Sequence, residues 1–117
     1  MLIIPIKKKW FDMILSGEKK EEYRNHNDYY FSRFANLFQF IEYNNELIPF
    51  WEGDVKEKID NKKIIFRNGY SSSSPSFVAE CNIELGQGKE EWGAEPGTTY
   101  YILKIIKILE VQNAQAT

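Results

Sequence analysis

A single cysteine, a single histidine and four prolines stand among the 117 residues of this chain. Cys81 alone excludes an intramolecular disulfide and any repeated-cysteine zinc framework, and that usage fits a reducing cytoplasm, the expected location. His26 has no metal-ligand constellation around it, so no metal site is expected. Long apolar runs are also missing. The stretch Met1 to Ile6 is too short to span a membrane and is followed, not preceded, by Lys7, Lys8 and Lys9, so it reads as neither a membrane segment nor a signal peptide. Charge of one sign is not in excess: 15 Lys and Arg against 17 Asp and Glu give a net −2. That balance excludes a domain that coats duplex nucleic acid through a broadly basic surface and leaves room for a focused basic site. The glycines of GQGKEEWG lack the strand-to-helix context of a dinucleotide or phosphate loop, so they read as turn formers and no cofactor is expected.

What the chain does hold is large apolar side chains. Hydrophobic residues make up 43% and aromatic residues 15%, with eight Phe, seven Tyr and three Trp, enough for one packed core and against intrinsic disorder. The length suits one domain, drawn here as residues 1–110, with a tail at 111–117 that has little to anchor it.

Leu2, Ile4 and Ile6 alternate as one face of a strand. WFDMILSG reads as a short helix in which Trp10, Met13 and Ile14 form a stripe and Gly17 terminates the backbone. Glu18 to Arg24 returns toward extended chain, and Asn27 or Asp28 caps a second helix through YYFSRFANLF. Phe40 to Trp51 returns to sheet. The segment Glu52 to Lys63, with four acids and four bases, reads mainly as a solvated connection. Ile64 to Phe66 resumes a strand that ends at Asn68-Gly69, and the serines 71 to 74 form a loop. Phe77, Ala79, Cys81, Ile83 and Leu85 alternate with Glu80, Asn82 and Glu84 in the strongest strand pattern of the chain. Tyr100 to Leu109 is a final strand apolar on both faces, which suits a closed or strongly curved sheet. The expected class is therefore mainly β with peripheral helices, an α+β domain built on a small sheet of five or six strands.

The charge cluster Gly17 to Arg24, GEKKEEYR, follows the first helix. In an extended chain Lys20, Glu22 and Arg24 share one face and Lys19, Glu21 and Tyr23 the other, but a turn after Gly17 can bring Lys19 to Glu22 and Arg24. Two cations there can hold a phosphate or a polarised carbonyl, and a carboxylate can accept base-edge or amine hydrogens. The bland reading of the same residues is an exposed ion-pair network.

The opening strand, the helix WFDMILSG and the motif Gly17-x-Lys19-x-x-Glu22-x-Arg24 together resemble the ASCH domain, a compact relative of the PUA RNA-binding fold. That resemblance implies a small PUA-like β-barrel with a cleft for RNA, a nucleotide or a modified nucleoside. It does not imply one reaction, since members of the family include ribonucleases and amidohydrolases acting on acetylated cytidine. Lys19 and Arg24 match the motif lysine and arginine of the amidohydrolase members. Glu22 stands where those enzymes carry a threonine, and a carboxylate cannot take the part of a hydroxyl activated for acyl transfer. Lys19, Glu22 and Arg24 are thus the candidate catalytic residues and, with Arg67, Asn68 and Tyr70, the candidate ligand-binding residues. The last three offer a guanidinium, an amide and an aromatic face beside the serine loop, although Asn68-Gly69 is equally a turn signal. Trp51 and Trp92 read as packing residues or as an aromatic at the mouth of the cleft. Binding of RNA or a nucleotide-like ligand leads these readings; a hydrolase of modified nucleosides or single-stranded RNA, and a protein-interaction module, stand beside it.

Overall fold

Alternation along the strand at Phe77 directs Phe77, Ala79, Cys81 and Ile83 to one face, and all four are buried. In the computed structural model, which describes residues 1–113, this strand is β7, Ser76–Gln87. It is central to a five-stranded sheet of order β1-β6-β7-β8-β2. The other members are β1 (Ile3–Pro5), β2 (Glu21–Asn25), β6 (Lys62–Arg67) and β8 (Thr99–Gln112). β1 runs parallel to β6, and the remaining pairs are antiparallel. Register shifts at Val78/Ala79 and Glu80/Cys81 bend the β7–β8 ribbon, as bulges do.

The first helix, α1 (Lys8–Leu15), sets Phe11 and Ile14 into the core, with Phe11 packed 5.1 Å from Phe77 between ring centres. The second, α2 (Asp28–Phe38), is capped by Asn27, whose side chain accepts the Tyr30 N–H at 3.0 Å. Phe34 and Phe38 are its buried stripe, and Phe34 meets Tyr101 edge-on. Residues 40–55 build a second, three-stranded antiparallel sheet of β3 (Phe40–Tyr43), β4 (Glu46–Trp51) and β5 (Asp54–Val55). The paired asparagines Asn44 and Asn45 both adopt positive φ and make its first hairpin turn.

β8 is buried on both faces only at its start. Tyr101 and Leu103 enter the main core, while Tyr100 and Ile102 join Tyr23 and Ala94 in a smaller cluster on the opposite side. Burial in the main core also pushes the Cys81 thiol up to about 12.

The mainly β class with two helices holds, and the large sheet has five strands, within the expected five or six; among the described residues a second sheet adds three more. A closed barrel is not found: among the described residues the large sheet ends at β1 and β2, which no backbone ladder joins. The segment Glu52 to Lys63 is more than a solvated connection. It contains β5, packs Ile59 on the core, and is tied down by Asn82, whose amide donates to the Ile59 carbonyl at 2.9 Å and to Asn61 at 2.7 Å. β8 runs on through Val111 and Gln112, opposite Phe77 and Ser76, so the first two residues of the expected tail are strand; residues 114–117 of it lie outside the described residues. Among the described residues no helix is long and apolar enough to cross a membrane.

Candidate functional site

The two open edges of the large sheet meet at a cavity of about 360 Å³, lined by Pro5 at the end of β1, by Ile6 and Lys7 just after it, and by Glu22, Tyr23, Arg24 and Asn25 of β2. Its construction begins at the end of α1. Gly17, at φ +84°, turns the chain out of the helix in a backbone conformation that costs glycine little, and the Lys19 N–H then donates to the Met13 carbonyl at 2.9 Å. The Lys20 carbonyl accepts the Ile105 N–H at 2.9 Å, which docks the start of β2 on β8. This turn brings Lys19 to the face that Glu22 and Arg24 share opposite Leu103 and Tyr101.

Lys19 is 2% exposed and Glu22 4%, so the exposed ion-pair reading fails for both. Lys19 Nζ donates to Glu22 Oε1 at 2.7 Å and to the Trp92 carbonyl at 2.7 Å, and it lies 4.2 Å from the centre of the Trp10 ring. Arg24 Nη1 stands 3.2 Å from Glu22 Oε2 and donates to the Tyr23 carbonyl at 2.7 Å. Its Nη2 donates to the Pro5 carbonyl at 2.8 Å, so one guanidinium bridges both sheet edges.

Both Glu22 oxygens therefore have a cationic partner already. The carboxylate is the counterion that holds Lys19 and Arg24 together more than a free acceptor for a ligand. Lys19 is held below its ordinary lysine value, chiefly because burial disfavours the charged form; Glu22 opposes that shift and Arg24 adds to it. Among the charged residues lining the cavity, Lys7, Lys19 and Arg24 face Glu22 and Glu95, an excess of one positive charge in a chain of net −2.

The walls are aromatic: Trp10, Tyr23, Trp92 and Tyr100. Trp92 arrives on a 3-10 turn, Glu90–Trp92, in the glycine-rich segment between β7 and β8. Two tyrosine hydroxyls pin that segment. Tyr23 accepts the Lys89 N–H at 3.0 Å while donating to Glu21 at 2.9 Å, and Tyr100 accepts the Glu95 N–H at 3.0 Å. Burial raises the Tyr23 phenol well above its ordinary value, so it stays protonated. The site is a preformed polar floor between aromatic walls.

Arg67, Asn68 and Tyr70 do not line this cavity. Arg67 pairs with Pro5 in the β1–β6 ladder, and the Asn68 amide donates to the Ile6 carbonyl at 3.0 Å, buttressing the strand that forms one wall. Tyr70 is 91% exposed, just before the serine turn. Of the six candidate residues, Lys19, Glu22 and Arg24 come together and the other three stand behind or beside them. Trp10 and Tyr100 escaped the sequence reading because their helix and strand periods mark them as core, and Tyr23 because strand alternation sets it on the face away from Glu22 and Arg24; their aromatic content was the only signal. Trp92 was singled out, and of its two readings the structure places it at the cavity, while Trp51 lies on the three-stranded sheet. His26 has a carboxylate partner: its Nε2 lies 3.1 Å from Glu42, which also accepts from the Tyr101 hydroxyl. Among the described residues no group of three or more His, Cys, Asp and Glu is arranged to hold a metal.

No protein-family model matches the chain, and comparison with curated proteins and with solved structures gives no match.

Proposed function

We propose that the cavity between β1 and β2 binds one nucleoside unit, as a free nucleotide or modified nucleoside or as a base presented by single-stranded RNA. The buried Lys19–Glu22–Arg24 cluster inside an aromatic cavity carries this reading. A volume of about 360 Å³ lies at the lower end of small-ligand sites and suits one aromatic ring system with its sugar, not a duplex. Trp10 and Trp92 supply faces for stacking. Lys19 and Arg24 supply N–H donors for a carbonyl or phosphate oxygen, and Glu22 keeps both cations charged and in place. The ASCH-like motif points to the same ligand class, and the PUA-like barrel it implies belongs to this proposal as well.

The test is a panel of nucleosides, nucleoside monophosphates and short oligoribonucleotides titrated calorimetrically into the wild type, Lys19→Met and Arg24→Ala. The reading expects at least one panel member whose affinity falls about tenfold or more in both variants, the scale of one charge-assisted hydrogen bond. It is overturned if nothing in the panel binds, or if binding survives both substitutions.

A hydrolase acting on modified nucleosides or single-stranded RNA is the second reading, favoured by one observation: Lys19 is held below its ordinary value beside a carboxylate, the setting of many acid–base groups. Against it, both Glu22 oxygens already have cationic partners, so activation of water needs that cluster to open. Product analysis on acylated nucleosides and on an unstructured RNA, repeated with Lys19→Met, decides it: turnover lost in the variant supports catalysis, and no product from the wild type removes it.

A further inference from the structure

The segment Glu52 to Lys63 is neutral in sequence, but the fold sorts its charges. Lys56, Lys58 and Lys62 line a second groove, of about 190 Å³, together with only one of the four acids, Asp60. Asp60 is already paired with Lys56 at 3.0 Å, and Lys56 and Lys62 both hold its carboxyl below the ordinary value. Lys58 and Lys62 thus add two positive charges beyond that pair, in a protein of net −2.

The same groove is walled by Phe50 and Trp51 of β4. Trp51 is 49% exposed although it is among the largest apolar side chains available for a core, and Lys56 Nζ lies 5.6 Å from its ring centre. The floor is fixed in the free protein by Ile59, which packs on the core, and by Asn82, which holds the Ile59 carbonyl. A half-exposed indole that shares its groove with two surplus lysines on a pinned segment offers a stacking face and phosphate contacts together.

We infer that this groove is a second binding site, whose occupant is a single-stranded nucleic-acid segment with one base against Trp51 and its phosphates at Lys58 and Lys62. An apolar peptide would leave the two lysines desolvated without partners, and a duplex would not bring an unstacked base to the indole. The inference is independent of the function proposed above, because the two cavities share no lining residue.

The experiment titrates a fluorescent oligouridylate by anisotropy between 50 and roughly 300 mM salt, against wild type, Lys58→Ala/Lys62→Ala, Trp51→Ala and Trp51→Phe, each checked for native circular dichroism. At about 0.7 per phosphate neutralised on a single strand, the double lysine variant flattens the slope of log affinity against log salt by about 1.4. Trp51→Ala weakens binding about tenfold, and Trp51→Phe, which keeps a stacking face and the β4–β5 hairpin, recovers most of it. Uridine monophosphate and inorganic phosphate, titrated as competitors, separate the sources of phosphate: a strand site requires both to compete at least a hundredfold more weakly than the oligomer. Unchanged affinity and slope in the lysine variant overturn the site, and equal competition by the monophosphate overturns the strand as its occupant. Nucleoside binding at the Lys19 cavity is unchanged by Lys58→Ala/Lys62→Ala, so failure of one site is distinguishable from failure of the other.

Discussion

At the scale of single residues, one carboxylate holds two cations in a place from which water is nearly excluded. Glu22 faces Lys19 at 2.7 Å and Arg24 at 3.2 Å, and its removal leaves the buried ammonium without a counterion. Glu22→Gln keeps the shape and deletes the charge, so it should cost about 3 kcal/mol of stability, read from urea unfolding. A loss below about 1 kcal/mol would mean that Lys19 simply gives up its proton at no cost. Lys19 adds a pH dependence whose sign is fixed by its lowered folded-state value. Between that value and the ordinary 10.5 the unfolded chain holds the proton and the folded chain does not, so this group's contribution to stability rises with pH across the window. The stability of the wild type minus that of Lys19→Met should therefore increase as pH climbs toward 10.5; a difference that falls contradicts a desolvated lysine. These three residues were legible in the sequence because they lie within six positions of each other just past a helix end. Trp92, whose carbonyl completes the Lys19 site, was not legible as a partner, since 73 residues separate the two and only the tertiary fold joins them.

At the scale of elements, the segment between β7 and β8 is shaped by what it must pass. A Cβ on Gly88 would lie 2.5 Å from Tyr23 Cζ and 2.7 Å from the Ala94 Cβ, both in the smaller buried cluster, where little can move. Gly17 is the contrasting case: its φ of +84° is strained for any other residue, but a Cβ there meets nothing within 4 Å. Gly17→Ala should then cost about 1 kcal/mol of backbone strain. Gly88→Ala should cost about 2 kcal/mol through overpacking and, on the proposed function, also weaken ligand binding by shifting Tyr23 in the cavity wall. Urea midpoints in the opposite order would contradict that account. The same contrast explains which elements could be read from sequence. β7 was plain because one face is buried and the other is not, which writes a period of two into the residue types. β5 has two residues and the 3-10 turn three, too few to carry any period, and they exist because neighbours hold them. Asn44 and Asn45 divide the single stretch Phe40 to Trp51 into β3 and β4, and their tolerance of positive φ is what makes that hairpin.

At the scale of the whole molecule, the sheet stays open where the candidate site lies, and Arg24 is the strap across the opening. Apolar residues on both faces of β8 suggested closure, but burial on both faces comes instead from two separate clusters, one on each side of the sheet. Closure depends on how far five strands curve, which residue types do not record, so only the class of the fold was legible. The open seam has a consequence for motion. β1 has only three residues, pairs with β6 alone, and is held from the other side by the bond from Arg24 Nη2 to the Pro5 carbonyl. Arg24→Met keeps much of the side-chain volume and removes the strap. The Ile6 N–H, which donates to the Arg67 carbonyl at 2.9 Å, should then exchange with solvent about tenfold faster, while amides at the centre of β7 keep their rates apart from any change in global stability. If Ile6 and central β7 amides accelerate equally, the effect is global destabilisation and the strap has no local role. A ligand that fills the cavity touches both edges, so in the wild type it should slow Ile6 exchange below the free-protein rate. In Arg24→Met that slowing should be lost with the affinity, because the residue that joins the edges is also one that the proposed function assigns to the ligand.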